Sequence, residues 1–145
     1  MSGPALRRQD SHRLIHQMAW SEAQDILNVL KSLWDQGNVD RVAQTAEVFL
    51  EHIETRILSH AVEEETGLYG EWRAMNDEWA PMIASLVADH EALRQTAQHI
   101  NSALTYAEYV AGMSLMQVFL DKSRDHSARE EDFLGNQIQL QSKGS

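Results

Sequence analysis

Apolar residues return at three- and four-residue spacing along almost the whole chain, the period of helices that each bury one face. The breakers are few. Only Pro4 and Pro81 occur, and Gly37-Asn38 interrupts the pattern once more. The spacing therefore predicts four helices: Asp10 to about Gln36, Asp40 to about Met75, Trp79 or Pro81 to about Ser102, and Tyr106 to about Leu140. Asp40 and Thr105 read as N-caps, Thr105 with Glu108 three residues on as a capping box, and Gly37 suits the left-handed position after a helix.

Each predicted helix has a stripe. Ala19, Ala23, Ile26, Leu30 and Leu33 share a face on the first, and Val42, Ala46, Phe49, Ile53 and Ile57 on the second. The third offers Ile83, Leu86, Val87 and Ala97; the fourth Leu115, Met116, Phe119, Phe133 and Leu134. Long helices joined by short turns predict an all-α fold, an up-down-up-down four-helix bundle over residues 10–140. Residues 1–9 and 141–145 are expected to be flexible ends. No solenoid-period repeat and no low-complexity segment is present.

Composition narrows the function. The 145 residues carry 12 Lys and Arg against 22 Asp and Glu, a formal charge of -10, which argues against nucleic acid or an anionic membrane as partner. Without Cys there are no disulfides, thiolate zinc sites, iron–sulfur clusters or cysteine nucleophiles. Residues 1–9 have no signal-peptide core, and the uncharged stretch Tyr109–Leu120 is too short for a bilayer span. A cytoplasmic protein is the expectation. Seven His remain as the candidate chemistry.

At about 100° per residue, most of these histidines fall on the apolar stripes. His12 is central on the first helix with His16 about 40° away, His60 and Glu64 straddle the centre of the second, and His90 is central on the third. His126 and Glu130 align with Phe119 and Phe133 on the fourth. His99 points away, and His52 lies on a flank. One inward His is ordinarily a core residue satisfied by a single hydrogen bond. Five of them with two inward glutamates would cost several kcal/mol per unpaired charge, and a metal cluster compensates them directly.

The spacing agrees. His60–Glu65 and His126–Glu131 both read HxxxEE, which projects an imidazole and a carboxylate side by side at i and i+4. At this chain's glutamate frequency such a motif is expected about 0.06 times by chance, so two of them argue against accident. The outer Glu65 and Glu131 read as solvated.

Taken in order, the motifs resemble those of the hemerythrin-like, or HHE cation-binding, domains: His12 and His16 in the first helix, His60–Glu65 followed by Leu68-Tyr69, Asp89-His90-Glu91, then His126–Glu131 followed by Phe133-Leu134. The resemblance spans about Asp10 to Leu140. It implies a centre of two non-haem iron ions with an oxo or hydroxo bridge, manganese or zinc being possible. His60, His90 and His126 would be terminal ligands, and Glu64 and Glu130 bridges. Where oxygen-carrying members have a second third-helix His, this chain has Arg94. His12 and His16 are both assigned as ligands in compensation, the alternative being that only one binds. Two metals of about six-fold coordination would then keep about one position open, which suits a small diatomic.

The expected function is a di-iron protein that binds oxygen or a related diatomic such as nitric oxide, for storage, delivery or sensing. The alternative is a di-iron enzyme or repair factor that acts on peroxide or nitric oxide or donates iron, and a metal-free helical interaction module comes last. Among the neighbours, Tyr69 reads as a boundary residue before a donor to the site. Asp89 and Asp125 read as solvated, Arg94 as the partner of Glu63, Glu91 or a surface carboxylate, and the four Trp as packing.

Overall fold

A computed structural model describes residues 4–138, with side chains from Asp10 onward. The described residues form four long helices. The first is Pro4–Asp35, which begins before the expected Asp10. Proline fits the first helical position, where its missing N–H costs nothing, and Ala5, Leu6, Arg7 and Arg8 are strong helix formers. Of the ends read as flexible, residues 1–3 and 141–145 lie outside the described residues, as does the expected end of the last helix at Leu140.

The second helix, residues 39–75, alternates α-helical Val39–His52, Ser59–Glu63 and Tyr69–Met75 with wide π turns at Ile53–Leu58 and Glu64–Leu68. After a 3₁₀ turn at Asp77–Trp79 comes the third, Ala80–Thr105, with Pro81 in its first turn. The fourth is Tyr109–Phe133, continued by a π turn at Leu134–Ile138.

The two expected caps are corrected. Asn38 caps the second helix by accepting from the Arg41 amide at 3.4 Å, while Asp40 sits in the first turn, where its charge still favours the helix N-terminus. Thr105 ends the third helix and donates its hydroxyl to the Asn101 carbonyl at 2.8 Å, so it is not free to cap the fourth. That turn closes through Ala107 at φ 55, and Glu108 stands at the cap without a side-chain bond. Gly37 takes the left-handed conformation expected of it, φ 72.

Short turns make each helix antiparallel to its chain neighbour; the first packs against the second and fourth, and the third against the fourth and second. This is a four-helix arrangement with two apolar clusters. One lies toward the Gly37 and Ala107 turns and includes Leu30, Phe49, Ile100, Met116 and Phe119. The other closes the opposite end with Tyr69, Trp72, Trp79, Ile83, Leu86 and Phe133. The stripes shift slightly from expectation. Leu27 is fully buried and Ile26 only half-buried, and on the third helix Leu93 and Ile100 are buried more deeply than Val87. No helix of the described residues is long and apolar enough to cross a membrane.

Candidate metal centre

Antiparallel packing brings the start of the first helix level with the end of the second, the first half of the third and the end of the fourth. His12, His16, His60, Glu64, His90, His126 and Glu130 all meet at that level, between the two apolar clusters. Their donor atoms form two groups, His12 with His16, His60 and Glu64, and Glu64 with His90, His126 and Glu130; within each group the atoms lie within 4.8 Å of one another.

The two glutamates connect the groups. Glu64 Oε2 lies 2.6 Å from His12 Nε2, 3.5 Å from His60 Nε2 and 3.7 Å from His16 Nε2, while its Oε1 lies 3.1 Å from His90 Nε2. Glu130 Oε1 lies 2.8 Å from His12 Nε2 and 3.5 Å from His16 Nε2, with Oε2 3.2 Å from His126 Nε2. Each carboxylate thus turns one oxygen to either group. His90 Nε2 and His126 Nε2 are 3.0 Å apart. Two donors bound cis to one ion at about 2.0–2.2 Å stand about 3 Å apart, so these spacings fit a cation-binding set.

Outer carboxylates stand behind the rings. His90 Nδ1 is 2.8 Å from Glu65 Oε2, and His126 Nδ1 is 2.8 Å from Asp89 Oδ2. His12 Nδ1 and His16 Nδ1 face Glu131 Oε1 at 3.4 and 3.2 Å, and His60 Nδ1 faces the exposed Glu63 at 3.7 Å. Three expectations are corrected here: Glu65, Glu131 and Asp89 are not solvated but partly buried against imidazoles. Each reaches across to the next helix, a contact that a single helical wheel does not contain. Asp125 is exposed, as expected. Arg94 bonds both Glu91 and Glu65, and Arg129 bonds Asp89 and Ser85.

Tyr69 is also corrected. It is fully buried, donates its hydroxyl to Glu130 Oε2 and lies 3.4 Å from His90 Nε2. Five residues past Glu64, an ideal α-helix would turn it about 140° away. The π turn at Glu64–Leu68, closed by the Tyr69 amide on the Glu64 carbonyl, returns it to the same face.

Burial by itself would lower the His12 and His16 pKa values. For His12, the adjacent Glu130 and Glu64 carboxylates override it and raise the imidazole to about 10; for His16, the Glu131 and Glu64 carboxylates raise it to about 9. His126 is raised in the same way by Glu130 and then Asp89 against its burial. Burial would raise Glu64, but Glu130 and the three imidazoles of its group hold it well below the usual carboxylate range. In Tyr69, burial and then Glu130 push the phenol up, so it stays a donor.

Protons thus balance the buried carboxylates only in part. His12 Nδ1, His16 Nδ1, His60 Nε2, Glu130 Oε1 and both Glu131 oxygens are buried without a hydrogen-bond partner. Orphaned donors and acceptors of this kind in a dry interior cost about 1–3 kcal/mol each. A cation on the Nε2 and carboxylate atoms compensates the inner ones, and the buried His and Glu groups could hold a metal ion.

Beside the imidazoles is a cavity of about 20 Å³, lined by His16, His60, His90 and His126 and by Ala19 and Leu93. It has room for one water-sized molecule. His52 stays outside the cluster, its Nε2 donating to the Ala19 carbonyl at 3.0 Å, and His99 is exposed. The tryptophans pack: Trp72 and Trp79 in the end cluster, Trp20 under Arg124, Trp34 beside Tyr109. Set against protein-family models, curated proteins and solved structures, the chain matches none.

Proposed function

We propose that the chain is a hemerythrin-like protein whose centre holds two non-haem iron ions and binds oxygen or a related small diatomic. The observation that carries this reading is the placement of Glu64 and Glu130, each with one carboxylate oxygen toward either group of imidazoles. A single-ion site needs no such doubling. Imidazole with carboxylate oxygen suits iron or manganese, and also zinc.

When bound, the metal pair supplies the redox chemistry and open coordination that reversible diatomic binding requires. The chain supplies the rest. His12, His16 and His60 with one oxygen of each glutamate would hold one ion, and His90 and His126 with the other oxygens the second. Tyr69 holds a proton on its phenol against Glu130. The small cavity beside the imidazoles has room for a water-sized ligand, the size of a diatomic.

The test is metal content with the visible spectrum. Protein loaded anaerobically with ferrous iron should retain about two ions per chain and develop an oxygen-dependent charge-transfer band that reverses when oxygen is removed. Failure to retain iron overturns the metal reading; irreversible oxidation with peroxide consumption overturns carriage in favour of an enzyme.

A further inference from the structure

His90 and His126 share a support that the other imidazoles of the centre lack. A His ligand must keep its Nε2 lone pair inward, and an acceptor on Nδ1 fixes both tautomer and ring rotation. Glu65 and Asp89 provide that acceptor at 2.8 Å. A carboxylate on a rotatable side chain holds a ring only if it is itself held. Arg94 bonds Glu65 and is steadied by Glu91, while Arg129 bonds Asp89 and is steadied by Ser85. The planar guanidinium fork makes each such link directional.

The first-helix side is supported differently. Glu131 faces two rings at 3.2 and 3.4 Å without hydrogen-bonding either, and Glu63 lies 3.7 Å from His60 Nδ1 with its side chain 75% exposed. His12 is held through Nε2 by Glu64 at 2.6 Å, but with no acceptor bonded to Nδ1 the three rings must settle tautomer and rotation on the ion, an ordering cost that His90 and His126 have already met. Donor count points the other way, since this side offers three imidazoles against two.

We infer that Arg94 and Arg129 are positioning residues: through Glu65 and Asp89 they pre-orient His90 and His126, so that the group Glu64, His90, His126 and Glu130 takes the first cation, and the group completed by His12, His16 and His60 takes the second. The inference rests on the metal-binding reading above.

Titrating the metal-free full chain with cobalt(II), followed by calorimetry and d–d absorption, tests it. Wild type should bind in two steps, and His12→Ala should keep the first while losing the second. Arg129→Gln and Arg94→Gln should each weaken the first step by about 10-fold. Arg129→Lys should recover part of that loss, and the metal-free melting temperature should barely move because the replaced ion pairs are partly solvated. The inference is overturned if both Gln variants bind the first ion as wild type does, or if His12→Ala abolishes the tight step. No cobalt bound to wild type overturns the metal reading itself, whereas two ions bound with unaltered arginine variants overturns the positioning role and leaves the metal reading standing.

Discussion

His90 and His126 reach the centre with Nδ1 bonded at 2.8 Å to carboxylates that arginines hold; His12, His16 and His60 reach it with their nearest outer carboxylates at 3.2–3.7 Å. The residue types are the same on both sides, and all five rings turn Nε2 toward the same two glutamates. What differs is the support behind the ring. Ligand identity fixes what a site can bind, but the readiness of the site depends on the hydrogen bonds that hold the ligands in place before the ion arrives.

The largest effect should come from the residues that both sides share. Glu64→Ala removes an oxygen donor from each group and should take metal content from about two ions per chain to below one, measured by elemental analysis after iron loading. Full occupancy in this variant would end the idea of a joint centre. Next, His126→Ala should lose more metal than His12→Ala under the same chelator challenge. Equal losses would erase the distinction between the two sides.

The pH response separates them further. His12 and His16 have folded pKa values of about 10 and 9, above the ordinary 6.5, so their contribution to metal-free stability is fully present below about pH 6.5. It is lost as pH rises through 9 to 10. Glu64 is depressed, so its contribution is present above its ordinary value and lost in acid. The melting temperature of metal-free protein should therefore fall between pH 6.5 and 10. In the loaded protein the same rings are already deprotonated, and the fall should vanish while loading at neutral pH releases protons. A metal-free melting curve flat across that range contradicts the assignment.

The smallest effect is expected at Tyr69. Tyr69→Phe should leave metal content unchanged and destabilise the metal-free protein by about 1–3 kcal/mol, since the buried Glu130 loses its phenolic donor. Chemical denaturation read beside metal content checks both parts.

Much of the centre is legible in the sequence because its inner residues sit on the apolar stripes. His60 with Glu64 and His126 with Glu130 are i, i+4 pairs, and His12, His16 and His90 fall on inward faces by the same rotation count. The outer residues are not legible in that way. Glu65, Glu131 and Asp89 lie on helix flanks, and a flank is solvated or buried according to which helix stands beside it and at what height. The only signals were adjacency, Glu65 next to Glu64, Glu131 next to Glu130 and Asp89 next to His90. Tyr69 was hidden by the π turn at Glu64–Leu68, which changes the rotation count where it mattered.

By itself, then, the sequence determined the four helical periods, the faces they bury and the seven residues that turn inward, because within each α-helical stretch the chain repeats every 3.6 residues. The tertiary structure decided the two-group division, the outward carboxylates and their arginines, and the place of Tyr69. These depend on the height and rotation of one helix against another, which packing sets between elements and no periodicity within one of them contains.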